Sequence, residues 1–158
     1  MPRSVQVNAA DAPVSDATLR DLAGYNIRRA STAVQADLAR TLAPFDLRMI
    51  TYSALVLIVD NPGLRQTQLA EALAIERSNL VVVIDDLERR ALIGRNPMPN
   101  DRRAYALTAT LAGTRLCRKA TRAVRAHEAR ILAPLSEEER QLLAGALRGI
   151  ERAANGAQ

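Results

Sequence analysis

Apolar residues recur at helical spacing along most of this chain. Leu19, Ala23, Ile27, Ala30, Val34 and Leu38 follow one another at three- or four-residue steps. That predicts one helix from a cap at Ser15 or Asp16 to about Ala43. Pro44 ends it. A second helix is expected over about Met49 to Asp60, broken by Asn61-Pro62-Gly63. A short helical pattern, Thr67 to Leu73, then turns at Ala74-Ile75 into a longer helix, Glu76 to Arg90. On a wheel of about 100° per residue, Leu80, Val83, Ile84, Leu87 and Ala91 share the face expected to meet the core. Ser78, Val82, Asp85 and Arg89 lie opposite, with Val81 on the flank. Two short apolar runs then flank a charged loop from Arg95 to Tyr105. Thr108 or Thr110 caps a long helix reaching about Leu132. Ser136-Glu-Glu-Glu139 supplies a capping box for a last helix, about Glu137 to Ala153, carrying Leu142, Leu143, Ala146, Leu147 and Ile150.

A short helix, a turn, a longer helix and a basic hairpin, in that order, describe a winged helix-turn-helix. The expected fold is mainly α with a small β-hairpin wing and long flanking dimerisation helices. The expected layout is a flexible arm over residues 1–14, a helical dimerisation region over 15–46 and 110–158, and a DNA-binding lobe over 47–109. Either the outer helices bury their apolar stripes against a second copy, or they cap their own lobe; a dimer is favoured, because reading a two-fold DNA site needs one.

Composition narrows the classes. At 158 residues the chain is one domain or a compact bilobed unit, and 48% hydrophobic residues suffice for a core. Aromatics are only 3%, so Leu, Ile, Val and Ala must build that core. The formal charge of +5 permits nucleic-acid binding without requiring it. One Cys and one His cannot make an intramolecular disulfide or a His/Cys zinc site. No metal or cofactor is expected. No apolar run reaches membrane-spanning length, and the N-terminus lacks an apolar signal core, so a soluble cytoplasmic protein with no membrane partner is expected.

In a recognition helix the first turns reach base edges. Arg77, Ser78 and Asn79 occupy that place, with side chains suited to guanine, to bases or phosphate, and to adenine. Val82 and Val81 stand off the core face, either as thymine-methyl contacts or as scattered surface apolar residues. In the hairpin, Arg95, Arg102 and Arg103 could enter a narrow minor groove, with Asp101 holding a neighbouring Arg. Asn100-Asp101 is turn chemistry.

Three strings carry a resemblance to a known family: Glu76-Arg-Ser-Asn-Leu, Asp85-Asp-Leu-Glu-Arg-Arg-Ala-Leu-Ile93, and Asp101-Arg-Arg-Ala-Tyr-Ala-Leu-Thr-Ala-Thr-Leu-Ala-Gly113. From about Leu19 to Ile150 the chain resembles the multiple antibiotic resistance regulator (MarR) family. The resemblance implies a homodimeric winged-helix transcription factor, usually a repressor, on a pseudo-palindromic operator. It also implies release by a small, often phenolic or anionic, effector held between the dimer and DNA-binding lobes. Asp101 and Arg103 match the family's wing Asp-x-Arg pair; Arg77, Ser78 and Asn79 match the start of its recognition helix. Ala91 replaces the usual Gly, Ala109 the usual Leu, and Val82 a residue that is often polar.

For the effector, Tyr25 and Arg29 lie four apart on one flank of the first stripe and can converge on a carboxylate or phenolate. Asn26 falls almost within the stripe, where a polar group needs a partner. Arg28 is expected to point away, and Tyr52 to face the same cleft as Tyr25. The alternative for Tyr25 and Arg29 is dimer or surface contact. His127 reads as a structural histidine, and Cys117, inside a helix without a partner cysteine, argues against a redox sensor. No nucleophile–base pair, phosphate-binding Gly loop or metal spacing is present. The reading is a ligand-responsive DNA-binding repressor; the rivals are a winged helix used for protein–protein interaction and a small enzyme using Tyr25, Arg29 and His127.

Overall fold

In a computed structural model, residues 14–98 and 101–156 are described; for Met98 and residues 101–104 this covers the backbone alone. Apart from Val14, the expected N-terminal arm lies outside the described residues. The chain forms two compact units, Met1–Val34 and Gln35–Gln158.

In the first unit the single expected helix is broken. Helix α1 covers only Ala17–Arg20, and α2 runs Ala23–Leu42, on into the second unit. The cause is a side chain. The Asn26 amide donates to Arg20 O at 2.7 Å and to Leu22 O at 3.1 Å. An unbroken helix would bond the first of these carbonyls to the Gly24 N–H. The partner that the sequence demanded for Asn26 is thus the break itself. Asp16 closes the corner, accepting from Arg20 Nε at 2.9 Å and from the Tyr25 hydroxyl at 2.8 Å.

The second unit is built around α3, Met49–Asp60. Its start is fixed by the Arg48 N–H, which donates to Thr51 Oγ1 at 3.1 Å. Helices α4 (Gln66–Leu73), α5 (Arg77–Arg89) and α6 (Leu111–Ile131) pack on it. Ala54, Leu55 and Ile58 meet Leu69 from α4, Leu80, Ile84 and Leu87 from α5, and Leu107, all fully or almost fully buried. A second cluster joins Leu38, Leu42, Leu47 and Ala120, with Phe45 and Tyr52 against it. Last comes α7, Glu137–Asn155, opened by the expected capping box: Ser136 Oγ accepts from the Glu139 N–H at 3.2 Å, and the Ser136 N–H donates to Glu139 Oε2 at 2.7 Å. It buries none of its residues within the chain, and Leu142, Leu143, Leu147 and Ile150 are exposed.

The wing has one strand more than a hairpin. β2 (Ile93–Met98) and β3 (Asp101–Ala109) are antiparallel, and β1, Leu64–Arg65, adds to the other edge of β3. Leu64 pairs with Leu107 and Arg65 with Ala106. Gly63, at φ 88°, turns the chain into β1 and donates its N–H to Leu107 O at 2.9 Å. Asp101 is the first residue of β3, opposite Met98, with a register shift at Pro97/Met98.

Ala91 is a correction. Expected on the core face, it is exposed at φ 53°, beyond the end of α5, where the chain turns into β2. A left-handed residue leaves the helical wheel, so its side chain no longer follows the core stripe. That geometry explains why Gly is the natural occupant.

Candidate nucleic-acid interface

The turn between α4 and α5 is tight because Ala74 takes φ 51°. Its N–H donates to Glu71 O at 3.1 Å, and the Ile75 N–H donates to Ala70 O at 3.1 Å. Leu69 and Ala70 on one side and Leu80 and Ile84 on the other are buried, which locks the two helices together. The first turn of α5 then projects outward: Glu76, Arg77, Ser78 and Asn79 are all exposed. Glu76, at the N-cap, makes no side-chain capping bond. The first N–H groups of α5 therefore keep donors for solvent or a phosphate, at the positive end of the helix dipole. Val81 and Val82 also face outward, Val82 at 70% exposure.

The expected basic residues of the wing divide. Asp101, Arg102 and Arg103 lie in β3, and their side chains are outside the described residues. Arg95 is described and is engaged within the fold: its guanidinium pairs with Asp85, and Nε lies 2.9 Å from Glu88 Oε2. The Nε–Glu88 contact is an ion pair without hydrogen-bond alignment. With two carboxylates against it, Arg95 braces β2 on the outer face of α5.

The candidate effector residues are not presented as the sequence suggested. Tyr25 gives its hydroxyl to Asp16. Its ring lies under two guanidinium groups, Arg20 at 5.5 Å and Arg28 at 5.3 Å. Arg28 thus turns toward Tyr25, not away. The Tyr25 hydrogen bond, more than the Arg20 charge, holds the Asp16 carboxyl below its ordinary range. Asn26 is occupied by the break, and Arg29 is exposed. Tyr52, in the second unit, donates to Thr121 Oγ1 at 3.2 Å and lines an open cleft of about 700 Å³ with Met49, Ile50, Val56 and Leu73. A neighbouring cleft of about 860 Å³ runs between the end of α2, the start of α3 and α5, lined by Ala39, Asp46, Ile50, Val82 and Asp86.

His127 is buried, as a structural histidine should be, and its Nε2 lies 3.1 Å from Asp37 Oδ2. Sequence reading missed Asp37. It takes Arg130 at 2.5 Å and Arg40 at 2.7 Å, bonds that hold its carboxyl below the ordinary range, Arg130 contributing most. Burial pushes the Cys117 thiol up, which disfavours the reactive thiolate. Among the described residues no group of three or more metal-ligating side chains converges. No single described helix is long and apolar enough to cross a membrane.

The profile of the MarR family matches residues 47–105. A protein of Thauera aromatica described as a putative transcriptional regulatory protein for the hcr operon is 35% identical over 130 residues, covering 82% of this chain and 78% of its own. The chain belongs to the MarR family. Among solved structures, the transcriptional repressor CouR bound to a 23-mer DNA duplex superposes with a TM-score of 0.85 at 34% identity, covering 89% of this chain and 100% of that one. CouR bound to p-coumaroyl-CoA superposes at 0.80 and 33% identity, covering 89% and 99%. This MarR-family chain is therefore a DNA-binding winged-helix transcriptional regulator that works as a homodimer.

Proposed function

We propose that the chain represses transcription in the cytoplasm by holding a pseudo-palindromic operator, and releases it when an aromatic acid or its coenzyme A thioester binds. The observation that carries this is the outward first turn of α5. Arg77, Ser78 and Asn79 are exposed on a helix whose opposite face is locked in the core, so they are poised to enter a major groove. Val82 follows them on the same exposed side. By the family's wing pattern, Arg103 with Asp101 and the neighbouring Arg102 are the candidate minor-groove contacts. Arg95, neutralised in the fold, supports the wing more than it contacts phosphate.

The dimer places two α5 helices about 34 Å apart, one DNA turn. The exposed apolar residues of α7, Leu142, Leu147 and Ile150, offer a surface for the second copy; in the other unit, Ile27 and Val34 of α2 are exposed as well.

The effector class rests on the likeness to a regulator bound to p-coumaroyl-CoA. The cleft beside Tyr52 has apolar walls for an aryl group and a phenol at its edge. Tyr25, Asn26 and Arg29, in the first unit, are candidates apart from that cleft; Tyr25 would have to exchange its bond to Asp16. An effector shifts the repressor only by its differential affinity for the DNA-competent and released states. The test is an operator selected from random duplex DNA, titrated with the protein in the presence of p-coumaroyl-CoA, p-coumarate or coenzyme A. Release by one of the first two supports the reading. DNA binding indifferent to all three removes the effector class, and no DNA binding at any salt concentration removes the repressor.

A further inference from the structure

Arg90 lies one residue beyond α5, and its guanidinium reaches the turn that carries α2 into α3. Nη1 donates to Asp46 O at 2.8 Å and Nη2 to Phe45 O at 3.2 Å, across more than forty residues of sequence. Nη1 also lies 3.3 Å from Asp86 Oδ2 on α5, and Nη2 lies 3.7 Å from Asp46 Oδ2. The side chain is 21% exposed, so these bonds are partly shielded from solvent. The turn is shaped to receive a planar fork. Asp46 adopts φ 52°, its N–H donates to Ala43 O at 3.0 Å, and its own carbonyl and that of Phe45 meet one guanidinium. Lysine, with a single ammonium, cannot reproduce that geometry.

The other contacts of α5 with the lobe's helices come from Leu80, Val83, Ile84 and Leu87, whose packing is non-directional. They and the α4–α5 turn hold the first turns of the helix, and no directional bond among them reaches its C-terminal end. Arg90 adds a directional anchor at the C-terminal end. α5 is about 20 Å long at 1.5 Å per residue. A tilt of roughly 10° over that length displaces one end relative to the other by roughly 3.4 Å, the rise of one base pair. In a two-fold dimer that displacement occurs twice.

We propose that Arg90 is a positioning residue that determines operator specificity: by fixing the tilt of α5 against the α2–α3 turn, it sets the half-site spacing that the dimer accepts. This rests on the reading of α5 as the base-contacting helix.

The experiment selects an operator for the full-length wild-type protein from randomised duplex DNA. Affinity is then measured for versions whose half-sites stand one or two base pairs closer or farther apart. Arg90→Gln should stay folded by circular dichroism. Its preference for the best spacing over one two base pairs away should fall about tenfold, as expected for loss of charge-assisted hydrogen bonds. The ranking of base changes within a half-site should not move, since Arg77, Ser78 and Asn79 lie at the other end of the helix. Should Arg90→Gln fail to fold, Arg90→Lys decides: it keeps the charge and loses the fork, so a flattened spacing profile supports the proposal and a wild-type profile refutes it. A folded Arg90→Gln with the wild-type spacing profile refutes the proposal alone. So does a wild-type protein indifferent to spacing, or a variant in which base ranking and spacing degrade together. A wild-type protein that selects no duplex refutes the reading of α5 and the proposal with it.

Discussion

Arg95 on β2 is closed onto Asp85 on α5, with Glu88 one turn further along the same helix, so the root of the wing and the recognition helix are braced together. A guanidinium facing two carboxylates presents little net charge to a phosphate. Arg95→Ala should weaken operator binding by leaving Asp85 and Glu88 unpaired near DNA, while the slope of log affinity against log salt stays close to wild type. Arg103→Ala, read as a wing contact from the family's Asp-x-Arg pattern, should lower that slope by about 0.9, the value for one phosphate contact on duplex DNA. Anisotropy titrations over a salt series check both. A drop of that size for Arg95→Ala would return it to the phosphate contacts.

Gly113, in the first turn of α6, lies against the backbone of Leu92, just before β2. A Cβ placed there would come within 1.9 Å of Leu92 O. Thr110 draws the segments together: its N–H donates to Leu92 O at 3.0 Å, and its hydroxyl donates to Ala91 O at 2.8 Å and accepts from the Gly113 N–H at 3.0 Å. Neither backbone can yield as a flexible side chain would. Gly113→Ala should gain about 1 kcal/mol of helix propensity and lose more to overpacking. The net expectation is destabilisation of about 2 kcal/mol, read as a lower urea midpoint with an unchanged slope. A midpoint at or above wild type would show that the approach is looser than described.

What the sequence disclosed and what it withheld follow the range of the interactions. α3 was legible to its ends because Asn61-Pro62-Gly63 is a local stop, and the Ser136 capping box because both partners lie within four residues. The exposed turn at Arg77, Ser78 and Asn79 was legible because the buried stripe of α5 fixes its opposite side. β1 was not: two residues have no period, and Leu64–Arg65 is a strand only because Leu107 and Ala106 pair with it. The break before Ala23 was hidden because the apolar spacing runs on through it, while the deciding group is the Asn26 amide. Arg95 read as a DNA contact because its neutralising carboxylates stand on another element. Arg90 gave no signal, since its partners are backbone carbonyls that any residue would present.

Ala91 offers a test of backbone strain without packing. It is exposed and held at φ 53°. The left-handed conformation costs an L-residue roughly 1–2 kcal/mol, and Gly escapes that cost. Against this, Gly adds about 0.5–1 kcal/mol of unfolded-state entropy. Ala91→Gly should therefore stabilise the protein by about 0.5–1 kcal/mol. Ala74→Gly, at φ 51°, should act in the same direction. Thermal melts of the two variants check this. Destabilisation by both would mean that the turns are not left-handed in solution.

Asp37 ties α2 to α6 through Arg130 and stands 3.1 Å from the buried His127, with Arg40 on its other oxygen. Its carboxyl is held below the ordinary range, first by Arg130 and then by Arg40. A carboxyl whose folded pKa lies below its unfolded one stabilises the fold when ionised. That contribution is fully present above the unfolded value, about 3.9 for an aspartate. It is lost as the pH falls through the lower, folded value. Asp37→Asn keeps the shape and removes the charge, so it should be less stable than wild type at neutral pH. Its stability should also decline less steeply on acidification below about pH 4, because one of the carboxylates that must take up a proton is missing. Urea midpoints of both proteins from pH 7 into the acid limb give the comparison. Parallel curves, displaced by a constant amount, would mean that Asp37 acts by packing and hydrogen bonding alone, with no contribution from its ionisation.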